Sequence, residues 1–398
     1  MAQAIKPLTA LLLLWLGGIA LRMTILATPP VIPDIHADLA LSKTQIGILT
    51  GLPMVLFAGA AIAGSLMIAR LGTVTAAIIG LSLCAAGSAL RGVGPHVAML
   101  YFGTIVTAFG VAVTQPAMPP LVRAWMPHRI GFATAVYTNG LLIGETLPAA
   151  LTIPLVLPWL NNSWQWDFAF WGLLVALIAL AVFWYAPRTA TAATATAATN
   201  KRWMPDFRNP LIWRIGFLFG SVNASYFSLN GFLPDYLTHT GRPDLIHAAL
   251  TALNMGQLPA SLLLLISADR MVRTVWSYLI CGAICLVAIM AMVFLGGTWI
   301  VVAAGIWGCF GAGVFVLALA LPPLISPPED VHRVSAGMFT ISYSCAVIVP
   351  VIAGVLWDVT GWTRAPFIPI TACMIVLLAL APTIVLRDKT TGQDTPHG

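Results

Sequence analysis

Twelve stretches of predominantly apolar residues recur along this chain, each near the ~20 residues a helix needs to cross about 30 Å of hydrocarbon. They cover residues 8–30, 45–69, 74–94, 97–121, 131–157, 166–186, 209–234, 245–268, 274–295, 298–325, 333–356 and 364–386. Only 8% of the 398 residues are charged, against 59% hydrophobic. Soluble domains carry about 25% charged residues, so the chain lacks the polar surface required of a cytosolic enzyme, a secreted domain or a nucleic-acid binder. A bilayer admits only backbones whose polar groups are satisfied internally, and runs of this length select helices over barrel strands. The first run follows Lys6 as a signal peptide's apolar core would. It continues past Arg22 to Pro30, however, and eleven comparable runs follow, so it reads as a retained span.

Charge placement gives a topology. With the N-terminus in the cytoplasm, fourteen of the nineteen basic residues fall on the inner side. Lys43, Arg242 and Arg364 fall outside, while Arg22 and Arg91 remain within spans. This satisfies the positive-inside rule and predicts a bacterial inner-membrane protein with both termini cytoplasmic. The acidic residues show no such bias: Asp167 is grouped with the outer ones, and Glu145 alone sits in mid-span. All six cysteines lie in spans and the seven histidines form no ligand motif, so neither a disulfide, a metal site nor a cofactor is expected.

Between spans six and seven an Ala/Thr tract, Thr189 to Asn200, is followed by Lys201, Arg202 and Arg208. The tract has no apolar face to bury and reads as a linker. The expected division is an N-terminal six-helix bundle (1–187), a cytoplasmic linker (188–208), a C-terminal six-helix bundle (209–386) and a cytoplasmic tail (387–398). The halves share a signature. Pro119-Pro120-Leu121 precedes His128-Arg129 in the first, and Pro322-Pro323-Leu324 precedes His332-Arg333 in the second, with spacing that differs by one residue.

The inner turns after spans two and eight, Arg70-Leu71-Gly72 and Asp269-Arg270 with Arg273, resemble the G-x-x-x-D-R-x-G-R-R loop of the major facilitator superfamily. Ala69 stands where the first copy would carry its acid, and the second copy lacks the glycine. The resemblance implies that Arg70, Asp269, Arg270 and Arg273 act as cytoplasmic gate residues. A narrower resemblance lies in the first half. Leu21-Arg22, Pro29-Pro30, Ile32-Pro33-Asp34-Ile35, Ala37-Asp38-Leu39 and Thr50-Gly51-Leu52-Pro53 are similar to the opening of the bacterial cyanate and 2-nitroimidazole transporter family. Met118 to Arg123, Met126-Pro127 and Thr134 to Thr138 extend it. In the second half Phe232-Leu233-Pro234 is similar to that family's span seven, with Phe232 where tryptophan is expected. The resemblance implies an all-α membrane protein, with 12 transmembrane helices in two pseudo-symmetric six-helix bundles, that moves a small solute, often an anion or a heteroaromatic compound.

Three charges inside spans stand out as site residues. An arginine at mid-span costs about 2.5–3.5 kcal/mol on insertion scales and so faces protein or a cavity. Arg22 reads either as an anion anchor, through its planar donor fork, or as a structural tie to Glu145. Glu145 shares a face with Tyr137 and Leu141 and reads as a proton-coupling residue or as the other half of that tie. Arg91 lies near the outer end of span three, within snorkelling distance of water, and reads either as an interfacial or structural arginine or as a charge that attracts anions to an outer mouth. Span seven carries a polar stripe of Asn223, Tyr226 and Asn230 at helical spacing; it reads as helix-to-helix hydrogen bonding or, since the resemblance implies that span seven lines the central cavity, as substrate contact. Tyr137, Asn139, Trp307, Phe315 and Tyr343 are further cavity candidates, each of which also reads as packing, and Gly305, Gly308, Gly311 and Gly313 permit close approach and bending in span ten.

These readings converge on a secondary active transporter. It is expected to carry a small organic or inorganic monoanion by alternating access, coupled to protons, and to work as a monomer in contact with membrane lipid. An exporter of small heteroaromatic or nitro compounds is the second reading. A membrane-embedded enzyme would need a nucleophile, base or metal cluster at one depth, which the sequence does not supply.

Overall fold

The computed structural model describes residues 6–41, 43–187 and 203–390. Among these residues there is no β-strand. Eleven helices are long and apolar enough to cross a membrane. A twelfth long helix, Pro210–His239, is more polar because it carries Asn223 and Asn230 among its serines. Of the expected 188–208 linker only 203–208 is described, and of the expected tail only 387–390, which continues the last helix.

Spans one to three are α1 (Pro7–Leu26) with α2 (Thr28–Leu39), α3 (Lys43–Leu71) and α4 (Thr73–Arg91). Span four is α5 (Val97–Thr114), a tight turn, and α6 (Met118–Trp125). Span five is α7 (Ile130–Leu151), prolonged by a wide turn over Thr152–Val156, and span six is α8 (Trp164–Tyr185). Then follow α9 (Pro210–His239), α10 (Ile246–Met255) with α11 (Gln257–Met271), and α12 (Val275–Phe294). Span ten is α13 (Trp299–Leu319) with α14 (Leu321–Ile325), and α15 (Val331–Thr360) and α16 (Phe367–Thr390) complete the set. The two Pro-Pro-Leu motifs open the short helices α6 and α14, where a proline's missing N–H falls on the unbonded first turn.

The chain forms two compact units, Met1–Pro205 with Pro327–Ala336, and Asp206–Ser326 with Gly337–Gly398. Each follows one pairing scheme. In the first unit α1 packs on α7, α3 on α5 and α4 on α8, joining span one to five, two to four and three to six. In the second, α9 meets α15 through Gly216 against Ile341 and Gly220 against Ser342, α10 and α11 pack on α13, and α12 packs on α16. The scheme is the same one.

Some of these contacts admit only hydrogen. A Cβ on Gly140 would stand 2.2 Å from the Trp15 carbonyl oxygen, and one on Gly308 2.0 Å from that of Leu253. Small residues let spans approach closely enough for Cα–H···O contacts, which replace the hydrophobic drive that lipid does not provide. Span ten uses its glycine for approach and remains a continuous helix from Trp299 to Leu319.

Large apolar side chains, such as Leu8, Ile266 and Val359, are exposed on the perimeter. Exposed Trp159, Trp166, Trp184, Trp276, Trp299 and Trp362 lie at or near helix ends, where indole rings sit at headgroup level. In the described part of the expected linker, the Trp203 carbonyl accepts from Ser65 and the Met204 carbonyl from Arg333, which also pairs with Asp330, so this segment is tied to the first unit.

Candidate functional site

The seam between α1 and α7 positions the principal pair. Gly18 lies under the Tyr137 carbonyl, Gly140 under that of Trp15 and Gly144 under that of Ile19. These contacts lock the rotation of the two helices, and one turn further along they bring Arg22 against Glu145. Arg22 Nε lies 3.4 Å from Glu145 Oε1, with the arginine side chain 7% exposed and the glutamate 22%. A charge-assisted hydrogen bond is usually about 2.7–2.9 Å long, so the pair is formed but not tightly closed. On the same helix Tyr137 is buried, and Asn139 accepts a 3.0 Å hydrogen bond from Trp15 Nε1.

Arg91 is held inside the first unit. It is 1% exposed rather than snorkelling, because its guanidinium finds acceptors within the unit. Nη1 donates to Thr28 Oγ1 at 2.8 Å, and Nη2 to the Thr24 carbonyl at 2.6 Å and Ser88 Oγ at 3.2 Å. The Phe168 ring covers it, 4.3 Å from the guanidinium carbon. Asp167, grouped above with outer acidic residues, is likewise fully buried in the first turn of α8, where it accepts from Trp171 Nε1 at 3.0 Å. The spans of the first unit therefore hold two arginines, Arg22 and Arg91, and two carboxylates, Glu145 and Asp167.

In the second unit the polar stripe of α9 divides. Asn223 is buried and donates to Ser342 of α15 at 3.2 Å, a helix-to-helix tie. Tyr226 and Asn230 are half-buried and meet at a residue the sequence reading missed, Asn254 of α10. Tyr226 donates its hydroxyl to Asn254 Oδ1 at 2.6 Å, Asn254 Nδ2 donates to Asn230 Oδ1 at 3.0 Å, and Asn230 Nδ2 donates to the Tyr226 carbonyl at 2.9 Å. An asparagine beside the helix break at Gly256 is the signal that could have found it. Trp307 and Tyr343 are fully buried. Tyr343 stacks on Phe339, whose ring meets Phe219 edge-on, and Phe219 in turn lies 4.9 Å from Phe315. This site is aromatic and carries no charge.

Arg70 ends α3 and Asp269 and Arg270 lie in the last turns of α11, with Arg273 in the turn that follows. Arg70, Arg270 and Arg273 are exposed. Among the described residues no three His, Cys, Asp or Glu side chains are grouped to hold a metal.

Apolar spans in paired halves and charge kept to a few buried positions agree with what known proteins show. The sequence profile of the Major Facilitator Superfamily matches residues 14–242, more than half of the chain. The chain belongs to the major facilitator superfamily. Among curated relatives, the cyanate transport protein CynX of Escherichia coli is 27% identical, over 94% of this chain and 97% of that protein. The 2-nitroimidazole transporter of E. coli is 25% identical over 93% of each, and the uncharacterized transporter YycB of Bacillus subtilis 27% over 90% and 88%. The fold of this superfamily member matches the E. coli fucose:proton symporter FucP with a TM-score of 0.72 at 16% identity, covering 95% of this chain and 97% of that one. It matches the human organic anion transporter MFSD10 at 0.73 and 13%, covering 94% and 99%. As a major facilitator protein the chain is a multi-pass membrane transporter.

Proposed function

We propose that this protein is a secondary active transporter of a small monoanion across the bacterial inner membrane, coupled to protons and working by alternating access as a monomer. The observation that carries this reading is the buried, loosely closed Arg22–Glu145 pair. While both groups are charged the pair is neutral. A proton on Glu145 leaves a guanidinium without its counter-charge, and a buried unpaired charge is costly enough to recruit a replacement. A monoanion restores neutrality, so one proton and one anion enter the site together. The planar guanidinium fork suits a carboxylate-like or cyanate-like ligand. The likeness to a cyanate transport protein agrees with that choice. The neutral Tyr226–Asn230–Asn254 triad supplies polar contacts in the second unit without a second charge, and Arg70, Asp269, Arg270 and Arg273 serve as cytoplasmic gate residues.

The test is uptake into proteoliposomes of a panel of small monoanions, cyanate included, with urea as a neutral control. Arg22→Ala is expected to lower saturable monoanion uptake by at least about tenfold, the loss of one charged hydrogen-bond partner. Unchanged uptake of every anion in that variant overturns the anchoring role.

The aromatic cluster of Phe219, Phe315, Phe339 and Tyr343, with the likeness to a 2-nitroimidazole transporter, favours a second reading, export of small heteroaromatic compounds. Resistance conferred on an efflux-deficient strain, insensitive to Arg22→Ala, decides for it.

A further inference from the structure

The helix of the first span is interrupted at Ala27, two residues before Pro29 and three before Pro30, which supply no N–H to the helix and so kink it. A kinked span needs something besides its own ladder to fix the angle between its halves. In this unit the side chain of Arg91 bonds to both. Arg91 reaches from α4 and gives one arm of its guanidinium to the Thr24 carbonyl, the last full turn of α1, and the other to the Thr28 hydroxyl, the first residue of α2. The fork is itself immobilised. Phe168 of α8 covers it, Ser88 accepts from it one turn earlier on α4, and the Ser88 hydroxyl donates to the Phe168 carbonyl at 2.8 Å. Gly103 of α5 packs against the arginine's stem, where a Cβ would lie 2.8 Å from Arg91 Cγ. The charged group nearest in kind is Asp167, buried on the first turn of α8.

Arg22 lies two residues before Thr24, little more than half a helical turn. The hold on Thr24 and Thr28 therefore fixes the depth and rotation at which Arg22 meets Glu145. We propose that Arg91 is a positioning residue: its forked guanidinium sets the kink of the first span and through it the Arg22–Glu145 pair. The transport consequence rests on the reading of Arg22 as the anion anchor; the hold on the kink does not. A lysine keeps the charge but is a point donor on a flexible stem, so it cannot span both halves as a rigid fork does.

The test uses the full-length protein in lipid nanodiscs and proteoliposomes. Amide hydrogen exchange is followed over residues 20–28, and cyanate uptake is split into KM and maximal rate, for Arg91→Lys and for Thr28→Val, which removes one anchor while conserving shape. Both variants are expected to exchange about tenfold faster over residues 20–28, the loss of one hydrogen bond to a charged group, with α4 and α8 unchanged. KM is expected to rise several-fold with the maximal rate within about twofold, since a displaced anchor weakens binding. Wild-type exchange and KM in Arg91→Lys would make the charge alone sufficient and overturn the proposal, as would an increase in exchange spread evenly over α4 and α8. If Arg91→Lys does not fold, Thr28→Val decides alone. Arg22→Ala separates the two readings: unchanged uptake with wild-type exchange removes the anion anchor and leaves the hold on the kink standing.

Discussion

Arg22 and Glu145 are mutually dependent in a way that can be measured without knowing the substrate. Removing one partner of a buried pair leaves the other charge uncompensated, at a cost of about 3–5 kcal/mol. Glu145→Gln is therefore expected to lower the melting temperature of the purified protein, and added small monoanions to restore it by more than they stabilise the parent. A thermal-shift series with cyanate, formate and a neutral control checks this; equal response of parent and variant counts against exchange at Arg22. The same variant in proteoliposomes is expected to lose the stimulation of uptake by an imposed pH gradient. Both residues were legible in the sequence because a lone charge in an apolar run has no inexpensive explanation. Asp167 was not, because it follows the polar Asn161-Asn162-Ser163 turn and looks like an interfacial acid until Trp171 and Arg91 are seen beside it. Asn254 was hidden for another reason: its partners Asn230 and Tyr226 are 24 and 28 residues away, and their meeting depends on how α9 packs on α10.

Helix seams set what the pair can do. Gly140→Ala and Gly308→Ala each drive a methyl group into a carbonyl of the facing helix, and overpacking of this kind costs about 1–3 kcal/mol. Both are expected to melt at lower temperature, whereas Gly59→Ala, with nothing within 4 Å of its Cβ, is the neutral control. Comparable melting of all three would show that the seams yield. Gly140→Ala is also expected to impair uptake, since it moves α7 under Glu145, while Gly308→Ala acts on the other unit. The spans themselves were legible from apolar length. Their interruptions were less so: Pro30 stands three residues after the break at Ala27 and Pro259 three after the break at Gly256, yet Pro234 sits within a helix that runs on to His239.

Across the whole chain, the distribution of lysine and arginine predicts an orientation that simple labelling tests. A cysteine introduced at exposed Asp244, near the start of span eight, is expected to react with a membrane-impermeant thiol reagent in intact cells. One at exposed Thr274, before α12, is expected to react only after permeabilisation. The reverse pattern inverts the topology. The repeated Pro-Pro-Leu motif made the two-unit plan readable, because it recurs once in each half. The shared pairing of spans was not readable, since it resides in contacts rather than in any single run. Those contacts also carry a genetic consequence. Every missense change at a glycine codon adds at least a methyl group, so no conservative neutral step exists at Gly18, Gly140, Gly144 or Gly308. In a saturation library selected for a new solute, diversity should accumulate at Tyr226, Asn230 and Phe315, while those four codons return as they started. The substrate can drift while the seams stay as they are.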